Sequence, residues 1–108
     1  MDEVALVGIL ANSVDNAIEG CLCTPDGAEK FITAKVDYSV YNGAGKLRIV
    51  FENACADNII FDGDFPKSQK PGGGTGTKSI TYTAERYNGM AEFATKNSVF
   101  RTRILLHL

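Results

Sequence analysis

Asn42-Gly43 separates two stretches in which apolar and polar residues alternate, and no other feature of the chain constrains its fold as strongly. Before it, Ile32, Ala34, Val36, Tyr38 and Val40 alternate with Thr33, Lys35, Asp37 and Ser39. After it, Leu47, Ile49 and Phe51 alternate with Arg48 and Glu52. A period of two places the two sets on opposite faces of a pleated strand, and Asn-Gly accepts the positive φ angles of a tight hairpin turn. The pattern predicts an antiparallel hairpin turning within Asn42-Gly43-Ala44-Gly45, with one buried and one wet face. A second pair follows: a strand from Met90 to Thr95, a turn at Asn97-Ser98, and a strand from Val99 to Leu108. In the last strand Phe100, Thr102, Ile104 and Leu106 point inward, and Arg101 and Arg103 outward.

A sheet with one apolar face needs a cover. Residues 2–22 read as a helix capped by Asp2, with Val4, Val7, Leu10, Val14, Ile18 and Cys21 at three- and four-residue steps and Leu6, Ala11 and Ala17 widening the stripe. Thr24-Pro25-Asp26-Gly27 turns the chain toward the first strand. A second helix is predicted from Thr77 to Tyr87, burying Ile80, Ala84 and Tyr87 and stopped at Asn88-Gly89, with the glycine taking the left-handed position. The expected architecture is a two-layer α/β (α+β) sandwich: a mixed, mostly antiparallel sheet with helices on one face, formed by residues 1–108 as one domain.

Composition narrows the function. With 108 residues the chain has room for one core. A formal net charge of -2 offers no basic footprint for nucleic acid. Cys21, Cys23 and Cys55 are an odd number in apolar surroundings, which suits a reducing compartment better than a disulfide framework. No apolar run approaches the length of a membrane span.

Chemistry concentrates in two places. On the first helix Gly8, Asn12, Asp15, Asn16 and Glu19 fall within one arc of roughly 100°. Asparagine is a poor helix-interior residue, and a merely solvated face favours Lys, Glu and Arg. Amide and carboxylate oxygens at one-turn spacing suit a hard cation such as Mg²⁺. The second place is Gly72-Gly73-Gly74-Thr75-Gly76-Thr77-Lys78-Ser79-Ile80. A loop this bare lets backbone N–H groups close on an anion, and the helix behind it adds free N–H groups and the positive end of its dipole. It is not a P-loop, because Thr77 stands where the last glycine belongs and the loop follows turn-rich sequence rather than a buried strand. Residues 54–77 show no steady period and read as a lid over a ligand.

The stretch Ile9-Leu10-Ala11-Asn12-Ser13-Val14-Asp15-Asn16-Ala17-Ile18-Glu19 resembles the N-box of the GHKL ATPase/kinase superfamily, roughly N-L-L-D-N-A-I-E. The stretch from Gly72 to Ile80 is similar to its second glycine box, G-H-G-I-G-L-K-N-I. Glu85-Arg86-Tyr87-Asn88-Gly89 and the two closing strands follow the family order. The version looks most like the ATP-binding catalytic domain of sensor histidine kinases, in the branch of peptide-pheromone (quorum-sensing) receptors.

This resemblance implies a Bergerat-type ATP-binding fold and a set of roles. Asn12 holds Mg²⁺ bridging the ATP phosphates, and Asn16 lies near them. Gly72, Gly74 and Gly76 wrap the triphosphate with backbone N–H groups, and Asp15, Gly73, Thr75 and Thr77 complete the nucleotide-contacting boxes. Lys67 and Lys70 in the lid, and Lys78, meet phosphate charge. Three departures stand out. The first glycine box, D-x-G-x-G, is replaced by Glu52-Asn53-Ala54-Cys55-Ala56, which makes Asn53 the candidate for the adenine end. Gly73 replaces a common histidine. Gly8 stands where hydrolytic members carry a water-activating glutamate, so phosphoryl transfer to a tethered acceptor fits better than rapid hydrolysis. In such kinases the acceptor histidine lies on an upstream dimerisation helix and the phosphoryl group passes on to a response regulator. The resemblance thus implies a cytoplasmic, catalytic piece of a membrane-anchored sensor that does not itself span the membrane. The alternative is a non-catalytic nucleotide-binding module of the same fold acting through protein contacts.

Overall fold

The structure, a computed structural model, describes residues 2–67 and 75–108. In chain order the elements are α1 (Glu3–Leu22), β1 (Ile32–Tyr41), β2 (Ala44–Ala54), β3 (Phe61–Asp62), β4 (Phe65–Pro66), α2 (Thr75–Arg86), β5 (Met90–Lys96) and β6 (Val99–His107). Four strands form one sheet in the order β1-β2-β6-β5, and every ladder in it is antiparallel. Both helices lie on the same face. The opposite face is polar, with Arg101 bonded to its cross-strand partner Glu52 at 3.2 Å and Arg103 3.7 Å from its partner Glu92.

The turns form for the expected local reasons. Asn42 and Gly43 both adopt positive φ, 50° and 78°, and leave Tyr41 opposite Ala44. Asn97 and Ser98 do the same between Lys96 and Val99. Asp2 caps α1, its Oδ1 accepting from the Val4 N–H at 2.9 Å. At the end of α2 the left-handed residue is Asn88 (φ 57°), not Gly89. The Asn88 N–H donates to the Glu85 carbonyl and the Gly89 N–H to Ala84, a Schellman closure. Glycine is required at 89 for a different reason: a Cβ there would collide with the Leu105 carbonyl of β6.

The core gathers Ile9 from α1, Ile80 and Ala84 from α2, Ile49 and Phe51 from β2, and Ile104 and Leu106 from β6. The burial of each large aliphatic side chain contributes about 2 kcal/mol. Two expectations are corrected here. The stripe of α1 that meets the core is Ile9-Ser13-Ala17, flanked by half-buried Leu6 and Leu10, whereas Val4, Val7, Val14 and Ile18 are exposed. Small residues decide this, because they let the helix close on β2. Ser13 satisfies its hydroxyl on the Ile9 carbonyl at 2.7 Å, and at Gly20 a Cβ would collide with the Asn53 amide. The inward face of β1 is not buried either. All ten of its residues are exposed, because α1 sits over β2 and reaches β1 only marginally.

Within the segment read as a lid without a steady period, β3 and β4 form a hairpin turning at Gly63. Its strands are too short to carry a period. Phe61 stacks on Phe100 (6.4 Å, 12° between planes), and Phe65 meets Phe93 at 6.2 Å, which ties the hairpin to the helix side of β5 and β6. At the far end of the molecule Tyr87 joins both ends of the chain. Its Oη lies 3.4 Å from the Asp2 N, and its carbonyl accepts from the His107 N–H at 3.3 Å.

Candidate functional site

α1 and α2 pack side by side, which turns the asparagine flank of α1 toward the first turns of α2. Asn12 Nδ2 lies 3.4 Å from Ser79 Oγ, at the outer limit of a hydrogen bond. Asn12, Asn16 and Glu19 are half-buried along this seam, while Asp15 is exposed. Thr77 is buried in the first turns of α2, and Gly76 is half-buried with open space where a side chain would be. The first turn of α2 holds no acidic residue, so nothing there opposes an anion at the helix start. Lys78 directs its ammonium over the Phe65 ring, 5.9 Å from the centroid, and so spans from α2 to the β3–β4 hairpin. Lys67 is exposed just after that hairpin, its backbone N–H donating to Ile60 at 2.7 Å. Lys70, Gly72, Gly73 and Gly74 lie outside the described residues.

Asn53 is not a strand-end turn residue. It is the penultimate residue of β2, opposite Phe100, and 1% exposed. Its Nδ2 donates to the Ala54 carbonyl at 2.9 Å, and its Oδ1 has no partner among the described residues. Thr102 on β6 is equally buried, and its hydroxyl is likewise without a partner. Pairing of Phe51 with Thr102 and of Asn53 with Phe100 makes Asn53 and Thr102 diagonal neighbours on the helix-facing side of the sheet. A buried polar atom left unpaired costs about 1–3 kcal/mol, so two side by side are conspicuous.

A family model described as the GHKL domain matches residues 1–107. The chain belongs to the GHKL family. These are ATP-binding domains, and membership supports nucleotide binding. No curated protein matches the chain.

In this GHKL domain the unpaired pair offers one acceptor and one hydroxyl with no partner among the described residues. Oδ1 of Asn53 is an acceptor of the kind an exocyclic amino group needs, and the Thr102 hydroxyl can donate to a ring nitrogen or accept from the amino group. Sequence reasoning reached Asn53 but treated Thr102 only as an inward strand residue. The available signal was a polar residue among Phe100, Ile104 and Leu106 on an otherwise apolar face. His107, the one histidine of the chain, is half-buried in β6 opposite Lys46.

A cavity of about 250 Å³ lies at the Ala54 end of β2, between the end of α1 and the β5–β6 turn, and Thr24, Cys55, Asp57 and Ser98 are among its lining residues. Ser98 donates its hydroxyl to Asp57, and its carbonyl accepts from the Cys55 N–H at 3.0 Å. Burial, and after it the charge of Asp57, push the Cys55 thiol above its ordinary range. The described residues include no helix long and apolar enough to cross a membrane.

Proposed function

We propose that this chain is the ATP-binding catalytic domain of a sensor histidine kinase, which binds Mg-ATP and delivers the γ-phosphoryl group to a histidine on a separate dimerisation helix. The observation that carries the reading is the approach of Asn12 to Ser79. It brings the polar flank of α1 to the opening turns of α2, which follow the glycine-rich stretch in the chain.

In this reading Asn12 is a ligand of Mg²⁺ and Asn16 lies beside the phosphates. Gly72–Gly76 and Thr77 supply backbone donors, Lys67 and Lys70 add charge, and Asn53 with Thr102 reads the adenine. The metal supplies charge neutralisation on the phosphates when bound. The protein's part is to orient the nucleotide and exclude water, which is most of what phosphoryl transfer requires. The γ-phosphoryl passes to an imidazole nitrogen, which releases its proton, and ADP leaves. A second reading, a nucleotide-holding module that acts through protein contact, draws on the altered first glycine box at Glu52-Asn53.

Isothermal titration with Mg-ATP tests the shared part of both readings. Asn12→Ala should weaken binding at least about tenfold, or ~1.4 kcal/mol; unchanged affinity would remove Asn12 from the site and the proposal with it. A fragment bearing the acceptor helix then separates the two readings. Mg²⁺-dependent, acid-labile phosphohistidine supports the kinase, whereas tight ATP binding with no transfer leaves the binding module.

A further inference from the structure

β1 is an edge strand. Among the described residues it pairs on one side only, with β2, so its other side presents a row of unpaired backbone N–H and C=O groups. The strand is ten residues long, holds no proline or glycine, follows β2 without a bulge and is exposed throughout. An edge this long and regular is a template for a further strand unless a charge or a bulge interrupts it. The interrupting charge here is Lys35, and Asp37 stands two residues on, on the same polar face. Neither closes an ion pair among the described residues, although Arg48 on β2 is the cross-strand neighbour of Asp37.

The order of residues along β1 is self-complementary. Two antiparallel copies of one strand in one sheet are related by a two-fold axis normal to the sheet, which keeps like faces together. The axis passes between one residue and its own copy, and each choice of that residue is a different register. At Lys35 the axis sets lysine against lysine, and at Asp37 aspartate against aspartate, both unfavourable. At Ala34 or Tyr38 both charges meet uncharged residues. At Val36 the Lys35 of each copy lies opposite the Asp37 of the other, so that Asp37 stands between a lysine and Arg48. The same register sets Thr33 opposite Ser39 on the polar face. On the inward face it sets Ile32 opposite Val40, Ala34 opposite Tyr38, and Val36 opposite its own copy. Ile32, Val36, Tyr38 and Val40 are 44%, 64%, 59% and 58% exposed in the single chain, so each gains a cross-strand neighbour for surface now in water.

We propose that β1 is a homodimerisation edge: two copies of this chain pair their β1 strands antiparallel about Val36, joining two four-stranded sheets into one with the helices of both on the same face. A second copy is the occupant because it presents base and acid in the order that answers Lys35 and Asp37 together. The contact is isologous and closes at two chains, whereas β1 laid on the opposite edge, β5, would leave a free edge at each end and propagate. The inference stands apart from the nucleotide reading, which uses no residue of β1.

Sedimentation equilibrium at low salt, from micromolar to about 1 mM chain, should show the mean mass rise from the 11.6 kDa of one chain toward twice that and no further. Lys35→Asp sets aspartate opposite aspartate across the axis, and Asp37→Lys sets lysine opposite lysine. Each alone should weaken association at least about tenfold. An equal mixture of the two variants restores both charge pairs and should associate as wild type does. Both positions are exposed, and an unchanged unfolding midpoint in dilute solution identifies variants that retain the fold. A second measurement needs only wild type: in a mixture of isotope-labelled and unlabelled chain, intermolecular NOEs should join Ala34 to Tyr38 and Val36 to Val36. The proposal is overturned by a single-chain mass across the whole range, by association that both variants leave unchanged, by a mixture no tighter than either variant alone, or by absence of those NOEs. Species that keep growing beyond two chains would overturn it in favour of β1 on β5.

Discussion

Gly8 has open space where its side chain would stand, since a Cβ there meets nothing within 4 Å, and it lies one turn before Asn12 on the same flank. Gly8→Glu therefore sets a carboxylate beside the proposed phosphate site without a steric clash. It should also add about 0.5–1 kcal/mol of helix stability over glycine. ATP hydrolysis, measured as phosphate release, should rise at least tenfold, at the low end of what a positioned general base contributes. Full nucleotide affinity with no gain in hydrolysis would show that this flank does not face the terminal phosphate. Gly20 is the opposite case. A Cβ there would collide with Asn53 Nδ2 and lie 3.2 Å from the Ala54 carbonyl, so Gly20→Ala should destabilise by about 1–3 kcal/mol in urea unfolding. Much of that loss should be absent when Asn53 is already alanine, a coupling that a double-mutant cycle reads directly. Cys55 is deeply buried, and its thiol is raised in the folded chain above its ordinary 9.0. The unfolded thiol thus ionises first. The stabilisation is intact below pH 9 and is lost as pH climbs from there toward the folded value. Wild type should lose unfolding free energy above pH 9 more steeply than Cys55→Ala.

Between residue and molecule, the elements differ in how openly the sequence declares them. The two main hairpins are local, and their alternation and turn residues suffice to place strands and register. The orientation of α1 is not local. Its sequence is apolar around most of the circumference, so periodicity alone cannot choose between Val4-Val7-Val14-Ile18 and Ile9-Ser13-Ala17. The choice rests on closeness of approach to β2, and its trace in the sequence is small residues at 13, 17 and 20 rather than large ones. The same holds for β1, whose alternation was legible although nothing in its own residues tells which strand the helix covers. The β3–β4 hairpin escapes a periodic reading because its anchors, Phe61 and Phe65, find Phe100 and Phe93 far along the chain. At the end of α2, Asn88 carries the left-handed turn, so Asn88→Gly should be neutral or mildly stabilising and Asn88→Ala should cost about 1 kcal/mol in the same unfolding assay.

For the molecule as a whole, the candidate site is argued from two short boxes, of which Gly72, Gly73 and Gly74 lie outside the described residues, while the partnerless Thr102 hydroxyl was visible only after β2 and β6 were set side by side. If the two helices, the glycine-rich stretch and the sheet interior form one nucleotide site, ligand binding must stabilise all of them together. Mg-ATP at a hundred times its Kd should raise the unfolding free energy by about 2.7 kcal/mol, and Asn12→Ala should abolish most of that gain at the same concentration. Finally, Tyr87 holds Asp2 through its hydroxyl and His107 through its carbonyl, so the two ends of the chain emerge at one spot. A few flexible residues would suffice to splice Leu108 onto Asp2, and the exposed Asn42-Gly43 turn then offers a place to open the ring. Such a circular permutant should fold with its core intact, and any cargo fused at the new termini would leave from the β1–β2 turn instead of from Tyr87.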